Sequence, residues 1–301
     1  MSQLITIATC ALDQWVLDLD GNYERISQAI KTAKEKGARV VITPELSIPS
    51  YGLLDHWLEL DWYELYFEVL AKLLCNEDCH GILWDVGMPV VHKSAYYNCR
   101  VWAYDGKVLL IRPKMVLAND GNFREARYFT AWSTRRYTED FVLPSCIQEI
   151  SGQRSVKIGD MVLETSDSPP VAIGVNMCEE LFAPDPNNDA LAMDGVDLIC
   201  NSSGSHHELR KLNKRVNLIK DASAKTRTAY MYSNVQGCDA DRLYYDGTAM
   251  ICANGEMVRQ GSQFSLNDVE VSLLDNFYLS SHRSALAKPR PVLYLQAVLG
   301  M

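Results

Sequence analysis

Short runs of apolar residues alternate along the chain with segments in which apolar residues recur every three to four positions. The runs predict buried strands and the spaced segments predict amphipathic helices. The predicted strands cover residues 4–9, 39–43, 81–90, 98–104, 107–111, 171–177, 196–201, 229–235, 248–252 and 256–260, and the predicted helices cover 20–36, 53–75 and 208–227. This alternation, with hairpin signals at Asp105-Gly106 and Asn254-Gly255, predicts an α/β sandwich: one mixed sheet or two sheets covered by helices.

Residues 133–170 show no clear sign of either the apolar runs of buried strands or the three-to-four-residue spacing of amphipathic helices. We interpret them as a long polar excursion across the surface rather than as a domain boundary. The 301 residues suffice for one large α/β domain or two smaller ones, and the chain has no internal repeat and no clear linker.

Composition excludes several classes of protein. A net charge of −9 argues against nucleic acid as the main partner. No apolar stretch reaches about 18 residues, so no membrane span is predicted. The first residues lack a secretion signal, and we expect the nine cysteines to be reduced in the cytoplasm. No metal site is predicted, because Cys75, Cys79 and His80 lack a second ligand pair with matching spacing.

Three predicted strands are followed at once by residues that carry chemistry. Glu45 follows strand 39–43, Lys114 follows strand 107–111, and Cys178 follows strand 171–177. Open α/β sheets gather their sites at the carboxyl ends of strands. A carboxylate and a thiol form a base–nucleophile pair, and an ammonium beside them can stabilise a thiolate or an oxyanion.

The stretch that ends at Cys178 carries the strongest single signal. A β-branched apolar run stops at Cys178, and Glu179 and Glu180 follow before a turn with helix-start character. This predicts a strand, a sharp turn and a helix, whose N-terminus would lower the pKa of the thiol. Each residue also has a purely structural explanation: Cys178 as a buried strand-end cysteine, Glu45 as a helix cap, and Lys114 as a solvated charge.

The flanking residues favour the chemical interpretation. Thr43-Pro-Glu45-Leu, Arg112-Pro-Lys114-Met and Asn176-Met-Cys178-Glu-Glu stand in this order, with spacings of 69 and 64 residues between the three functional groups. In sequence and spacing they resemble the nitrilase superfamily of carbon–nitrogen hydrolases. The resemblance implies a four-layer α-β-β-α sandwich with a Glu–Lys–Cys triad.

Longer motifs narrow the resemblance. They are Glu45-Leu-Ser-Ile-Pro-Ser-Tyr51-Gly, Lys114-Met-Val-Leu-Ala-Asn-Asp-Gly-Asn-Phe-Arg-Glu125, Asn201-Ser-Ser-Gly-Ser-His-His and Gly237-Cys-Asp-Ala-Asp-Arg. Over residues 1–270 the chain is similar to the amino-terminal glutaminase domain of eukaryotic glutamine-dependent NAD synthetases. We therefore expect hydrolysis of the glutamine side-chain amide to glutamate and ammonia, which this family uses to make NAD from nicotinic acid adenine dinucleotide.

The resemblance also implies a role for each site residue. Cys178 attacks the amide, Glu45 acts as the base, and Lys114 holds the oxyanion with the backbone N–H of Glu179. Glu125 supports Lys114 and the substrate. The remaining candidates would bind the α-amino acid end of glutamine, and they are Tyr51, Glu179, Ser205 and Arg210; Arg210 also fits a solvated helix charge.

The carboxyl-terminal residues depart from the family pattern. We expect residues 271–301 to be a divergent tail and the synthetase domain to be absent, because no Ser-Gly-Gly loop for ATP is found. The glutaminase step then needs no cofactor, since ATP and magnesium belong to the absent domain. Expected partners are a second copy of the chain or a full-length NAD synthetase. Two alternatives stay open: a non-catalytic truncated isoform acting as an assembly partner, and another nitrilase-family amidase.

Overall fold

The computed structural model describes residues 3–167, 170–239 and 242–279. The strands are β1 Gln3–Leu12, β2 Val40–Ile42, β3 Leu83–His92, β4 Ala95–Tyr104, β5 Lys107–Pro113, β6 Thr138–Val142, β7 Ser155–Gly159, β8 Leu163–Glu164, β9 Ala172–Met177, β10 Leu198–Ser203, β11 Ala229–Cys238, β12 Tyr244–Asp246, β13 Met250–Ala253, β14 Glu256–Gln260 and β15 Val269–Leu279. The helices are α1 Leu19–Glu35, α2 Asp61–Cys75, α3 Ser145–Ser151, α4 Asn188–Met193 and α5 Lys211–Thr226.

Eleven of the described strands form one hydrogen-bonded path that folds over on itself, and β12 to β15 are paired beside this path. Its order is β6-β7-β5-β4-β3-β2-β1-β11-β10-β9-β8. The two halves meet between β1 and β11, where only Ala11 with Asn234 and Leu12 with Val235 are paired. Because only two residue pairs join the halves here, the halves can turn to face each other. The two layers of the predicted sandwich therefore belong to one connected sheet.

Three apolar cores separate four layers. One core lies beneath α1 and α2 and contains Ile26 and Leu70. A second contains residues from both halves of the sheet, such as Val40 and Ile173, and therefore lies between them. A third lies beneath α4 and α5 and contains Ile219. Helices thus cover both outer faces, and the prediction of an α-β-β-α sandwich is confirmed.

The predicted helix over residues 53–75 is interrupted. A 3-10 helix spans Leu54–Leu58, and α2 begins only at Asp61. Between them Glu59 is extended, with ψ 115°. The Glu59 carboxylate accepts hydrogen bonds from the side chains of His56 and Trp62, and such local side-chain bonds compete with continuous helix.

Residues 133–170 contain secondary structure that their sequence pattern did not predict, and their interpretation as a surface excursion rather than a domain boundary stays a prediction. They contain β6, α3, β7 and β8. In β6 only Phe141 is buried, where it stacks on Phe67. An edge strand that buries one side chain has no apolar run, so its sequence gives no strand signal.

The predicted domain boundary at residue 270 falls inside β15, which runs antiparallel to β1 from Gln3 to Leu12. The division into a domain and a divergent tail stays a prediction, and residues 280–301 lie outside the described part. Among the described residues, none of the helices has the length and apolar character needed to cross a bilayer.

Candidate active site

The three strand-end residues converge at one buried point. Glu45 follows β2, Lys114 follows β5 and Cys178 follows β9. Glu45 and Lys114 are fully buried, and Cys178 is 3% exposed. β2 and β5 belong to one half of the folded sheet and β9 to the other, so the site forms where the two halves face each other.

Glu45 is held by donors on both carboxylate oxygens. Its Oε1 accepts hydrogen bonds from Lys114 Nζ at 2.6 Å and from Asn98 Nδ2 at 2.8 Å. Its Oε2 accepts from the backbone N–H of Gly204 at 2.9 Å. Three donors fix the carboxylate in one orientation.

Lys114 lies between two carboxylates. Its Nζ also donates to Glu125 Oε1 at 2.7 Å. Burial by itself would lower the pKa of Lys114, but the charges of Glu125 and Glu45 outweigh it and hold that pKa well above its usual range. The residue is therefore an ammonium at neutral pH, and it can donate a third hydrogen bond to a substrate oxygen.

Glu125 is connected to the backbone and to an aromatic side chain as well. Its Oε2 accepts from the N–H of Ala118 at 2.8 Å, and its Oε1 accepts from the Tyr51 hydroxyl at 2.5 Å. Burial raises the pKa of Glu125 to about 7, although the Lys114 ammonium opposes that rise. Glu125 thus accepts hydrogen bonds from both Lys114 and Tyr51, and its supporting role stays a prediction.

Cys178 occupies a strained turn. Its φ is +39°, in the left-handed region that a non-glycine residue seldom adopts, and its N–H donates to Asn201 Oδ1 at 3.1 Å. The helix expected after Cys178 is a four-residue 3-10 segment that begins with Cys178 itself. Burial, reinforced by the charge of Glu45, raises the pKa of the thiol to about 12. The expected lowering of that pKa by a helix N-terminus is therefore wrong.

A cleft of about 500 Å³ opens next to Cys178. Of the predicted substrate-binding residues, Glu179, Ser205 and Arg210 line it. Tyr51 is absent from this lining, and it contacts the cleft only indirectly, because its ring packs edge-on against Phe123, which does line the cleft.

Charges of both signs surround the mouth of the cleft. Lys211 and Lys214 of α5 lie on one side, each with its ammonium over an aromatic ring of the cleft, Phe123 and Phe182 respectively. The half-buried carboxyl of Glu179 lies on the wall, and burial raises its pKa. A zwitterionic ligand would meet a complementary charge at each end.

Sequence reasoning missed several residues that hold the site. Asn98 lies within β4 and gave no signal, because an amide in a strand resembles any polar strand residue. Asn201 and Gly204 lie in the quoted Asn201-Ser-Ser-Gly motif but were assigned no role. At Gly204 a Cβ atom would come within 2.7 Å of the Tyr51 ring, so only glycine lets its N–H approach Glu45 there.

Within residues 3–167, 170–239 and 242–279, no group of three or more His, Cys, Asp or Glu side chains is arranged to hold a metal ion. The prediction that the site works without a metal or another cofactor is not tested by this observation and stays a prediction.

A buried thiol, an ammonium and two carboxylates at the strand ends of an α-β-β-α sandwich have the chemistry of a hydrolase that cleaves amide-type carbon–nitrogen bonds. The sequence matches the family model for carbon–nitrogen hydrolases over residues 6–275, and the chain belongs to this family. The prediction of an enzyme of this class is confirmed.

Comparison with known proteins gives closer relatives. The chain is 52% identical over 288 residues to the glutamine-dependent NAD(+) synthetase of Saccharomyces cerevisiae, covering 95% of this chain and 40% of that protein. It superimposes with a TM-score of 0.80 on a glutamine-dependent NAD(+) synthetase from Cytophaga hutchinsonii, at 27% identity, covering 91% of this chain and 43% of that one. The predicted resemblance to these synthetases is confirmed, and the chain spans about 40% of the length of its yeast relative.

A nitrilase-superfamily amidase from Nesterenkonia has the same fold. It superimposes with a TM-score of 0.69 at 16% identity, covering 91% of each chain. At this identity the likeness concerns the fold alone, and it confirms the predicted nitrilase-type architecture.

Proposed function

We propose that this chain hydrolyses the side-chain amide of glutamine through a thioester at Cys178 and releases glutamate and ammonia. The observation that carries the proposal is the hydrogen-bonded cluster of Glu45, Lys114 and Glu125, buried next to Cys178 beside a cleft of about 500 Å³. The likeness to proteins named glutamine-dependent NAD(+) synthetases supports glutamine as the substrate.

In the first step the Cys178 Sγ attacks the amide carbon as its proton passes to Glu45. A thiol whose pKa is raised to about 12 is protonated at neutral pH, so it needs a base at the moment of attack. Glu45 is suited to this task because its three donors keep its carboxylate in place.

The attack turns the amide carbonyl oxygen into an oxyanion. Lys114 Nζ and the N–H of Glu179 are the donors assigned to it. Because Lys114 stays charged between two carboxylates, its ammonium needs no proton transfer to act. A donor of this kind commonly contributes on the order of 10²–10³ in rate.

Collapse of the tetrahedral intermediate breaks the carbon–nitrogen bond. The nitrogen takes the proton from Glu45 and leaves as ammonia, while the acyl group remains on Cys178 as a thioester. Glu45 then removes a proton from water, which attacks the thioester carbon. Sγ regains that proton, and glutamate is released.

Recognition of the α-amino acid end is assigned to residues around the cleft. The Glu179 carboxylate faces the ammonium and Arg210 faces the carboxylate. Ser205 is buried, and within the described residues its Oγ has no hydrogen-bond partner, so it can bond a ligand. Tyr51 supports the wall through its ring contact with Phe123, and its hydroxyl donates to Glu125.

In the proteins named glutamine-dependent NAD(+) synthetases, the ammonia would serve NAD synthesis with ATP and magnesium. We extend the proposal accordingly: this chain acts in the cytoplasm as their glutaminase part, without a cofactor of its own. It associates with a second copy or with a full-length synthetase.

The test is the release of ammonia and glutamate from glutamine by the purified chain, next to Cys178→Ala. Cys200→Ala is the matched control, since Cys200 is equally buried but lies inside β10 away from the cleft. Turnover by the chain and by the control, with a loss of at least about 10³-fold in Cys178→Ala, supports the proposal.

Two outcomes would contradict it. Turnover of a dicarboxylic acid ω-amide that lacks the α-amino group, in preference to glutamine, would indicate another nitrilase-family amidase. A folded chain that turns over no amide but binds a full-length synthetase would indicate a non-catalytic assembly partner.

A further inference from the structure

Two arginines lie directly opposite each other behind the site. Arg100 of β4 and Arg112 of β5 are register partners in the antiparallel ladder, and both are fully buried. Like charges on facing positions destabilise a sheet, and a buried charge is costly unless it is paired. Each arginine accordingly has a close acidic partner, Asp85 for Arg100 and Glu180 for Arg112. Arg112 also lies 3.7 Å from a carboxylate oxygen of Asp160.

The first pair holds the turn that carries Glu45. Arg100 donates to the carbonyl oxygen of Pro44 at 2.6 Å and to that of Thr43 at 2.9 Å. Asp85 Oδ1 accepts from the N–H of Thr43 at 2.8 Å. The two residues that precede Glu45 are thus fixed to the buried ion pair on both sides of their backbone.

The second pair holds the other two turns together. Glu180 Oε1 accepts from Arg112 and from the N–H of Met115 at 2.7 Å, and its Oε2 accepts from the N–H of Met177 at 3.0 Å. Met115 directly follows Lys114, and Met177 directly precedes Cys178. One carboxylate therefore connects the turn of the amine to the turn of the nucleophile.

We propose that Arg100 and Arg112, with Asp85 and Glu180, are positioning residues that set the relative placement of Glu45, Lys114 and Cys178. The three turns come from strands of both halves of the folded sheet. Because the two arginines are neighbours on paired strands, their ion pairs fix the three turns relative to one another. This inference rests on the proposed roles of the three residues, and it assigns a function to four side chains that need not touch the substrate.

Stability alone is a poor explanation for these pairs. Replacing a buried ion pair with apolar side chains of similar volume is often neutral or stabilising. A displacement of about 1 Å in a catalytic group, in contrast, can lower a rate by about 10²-fold. The two ion pairs contact the backbone next to all three residues of the triad. Their main effect is therefore on the positions of these residues.

The first variant is Glu180→Gln. A glutamine presents one acceptor oxygen and an NH₂ group, so it cannot accept from both Met115 N–H and Met177 N–H. We expect kcat for glutamine to fall about 10–100-fold while KM changes less than about threefold, because the residues that line the cleft are unchanged. The control is Glu139→Gln on β6. Glu139 forms an ion pair with exposed Lys93 and does not line the cleft, so both constants should stay unchanged.

The second variant separates placement from stability. Arg112→Met and Glu180→Met, combined with Asp160→Asn, remove all three charges of this cluster and replace the paired side chains with apolar ones of similar volume. In the combined variant we expect the midpoint of thermal unfolding to stay near that of the parent chain while kcat falls at least about 10-fold, because Met115 and Met177 lose their shared acceptor. A variant with parental kcat and parental stability would overturn the inference, as would a Glu180→Gln protein with unchanged kcat.

A third readout does not depend on glutamine. The rate of Cys178 alkylation by 2-chloroacetamide reports whether the thiol and its base are correctly placed. If the parent chain hydrolyses no glutamine but Glu180→Gln slows alkylation about 10-fold relative to Glu139→Gln, the proposed function fails and the positioning role stands. If glutamine is hydrolysed and neither rate changes in Glu180→Gln, the positioning role alone fails.

Discussion

Lys114 donates a 2.6 Å hydrogen bond to Glu45 although 69 residues separate the two along the chain. The same ammonium donates to Glu125 at 2.7 Å, so one positive charge is shared by two buried carboxylates. Such a cluster is stable only while its cation is present, because an unpaired buried carboxylate has no solvation to replace it. The proposed catalysis and the stability of the fold therefore depend on the same ion pairs.

Lys114→Met should lower both activity and stability. Without the cation, Glu45 and Glu125 are buried without their counter-charge, and we expect the free energy of unfolding to fall by about 3–5 kcal/mol. The loss should be larger at pH 8 than at pH 5, since protonation at the lower pH removes the uncompensated charge. Urea unfolding at the two pH values measures both effects.

Lys31→Met is the control for this substitution. Lys31 forms an exposed ion pair with Asp78, and such pairs contribute little. Its unfolding midpoint should match that of the parent chain at both pH values. An equal effect of the two substitutions would show that the buried cluster has no special role in stability.

Glu125→Gln should change how stability depends on pH. Burial raises the pKa of Glu125 to about 7 in the folded chain, above the usual value in the unfolded chain. A carboxyl with a raised folded pKa favours the native state below its unfolded pKa and loses that contribution as pH rises through its folded pKa. The parent chain should therefore lose stability relative to the variant between pH 5 and pH 8, by about 2–3 kcal/mol.

The measurement for Glu125 is the free energy of unfolding of both proteins at several pH values in that window. A difference that stays constant with pH would show that Glu125 is ionised throughout and would contradict the raised pKa.

The thiol of Cys178 should not titrate in the neutral range. Burial raises its pKa to about 12, so the thiolate absorbance at 240 nm that the parent chain has beyond Cys178→Ala should show no step up to about pH 9. In concentrated urea the same difference should show a step near the usual value of about 8.5. A step near pH 7 in the folded protein would instead indicate a preformed thiolate.

Gly87→Ala should disturb the turn that follows Glu45. A Cβ atom there would lie 2.2 Å from the backbone N of Leu46 and 2.6 Å from Arg100 Nη1. Because backbone must move, we expect a loss of about 1–3 kcal/mol in unfolding free energy and at least about 10-fold in kcat. Gly261→Ala, where the nearest atom is 3.3 Å away, should have a much smaller effect on both quantities.

Part of the fold could be read directly from local patterns. Strand 39–43 was predicted and β2 is Val40–Ile42; helix 20–36 was predicted and α1 is Leu19–Glu35. Most apolar residues of these two elements are buried, so the spacing of apolar residues was enough to predict them. At β6 the signal fails, because a single buried side chain leaves no period to detect.

The sequence alone determined the residues to which we assign the chemistry. Glu45, Lys114 and Cys178 each end an apolar strand, and their flanking motifs identify the family, because local sequence controls where a strand stops and which side chain follows it. Only the tertiary structure decided their environment. The thiol pKa and the Gly204 contact to Glu45 arise where one half of the sheet folds onto the other. The Asn98 contact to Glu45 and the facing arginines on β4 and β5 depend on how strands within one half are placed and paired. Desolvation and long-range pairing depend on which surfaces meet, and short sequence patterns carry no information about that.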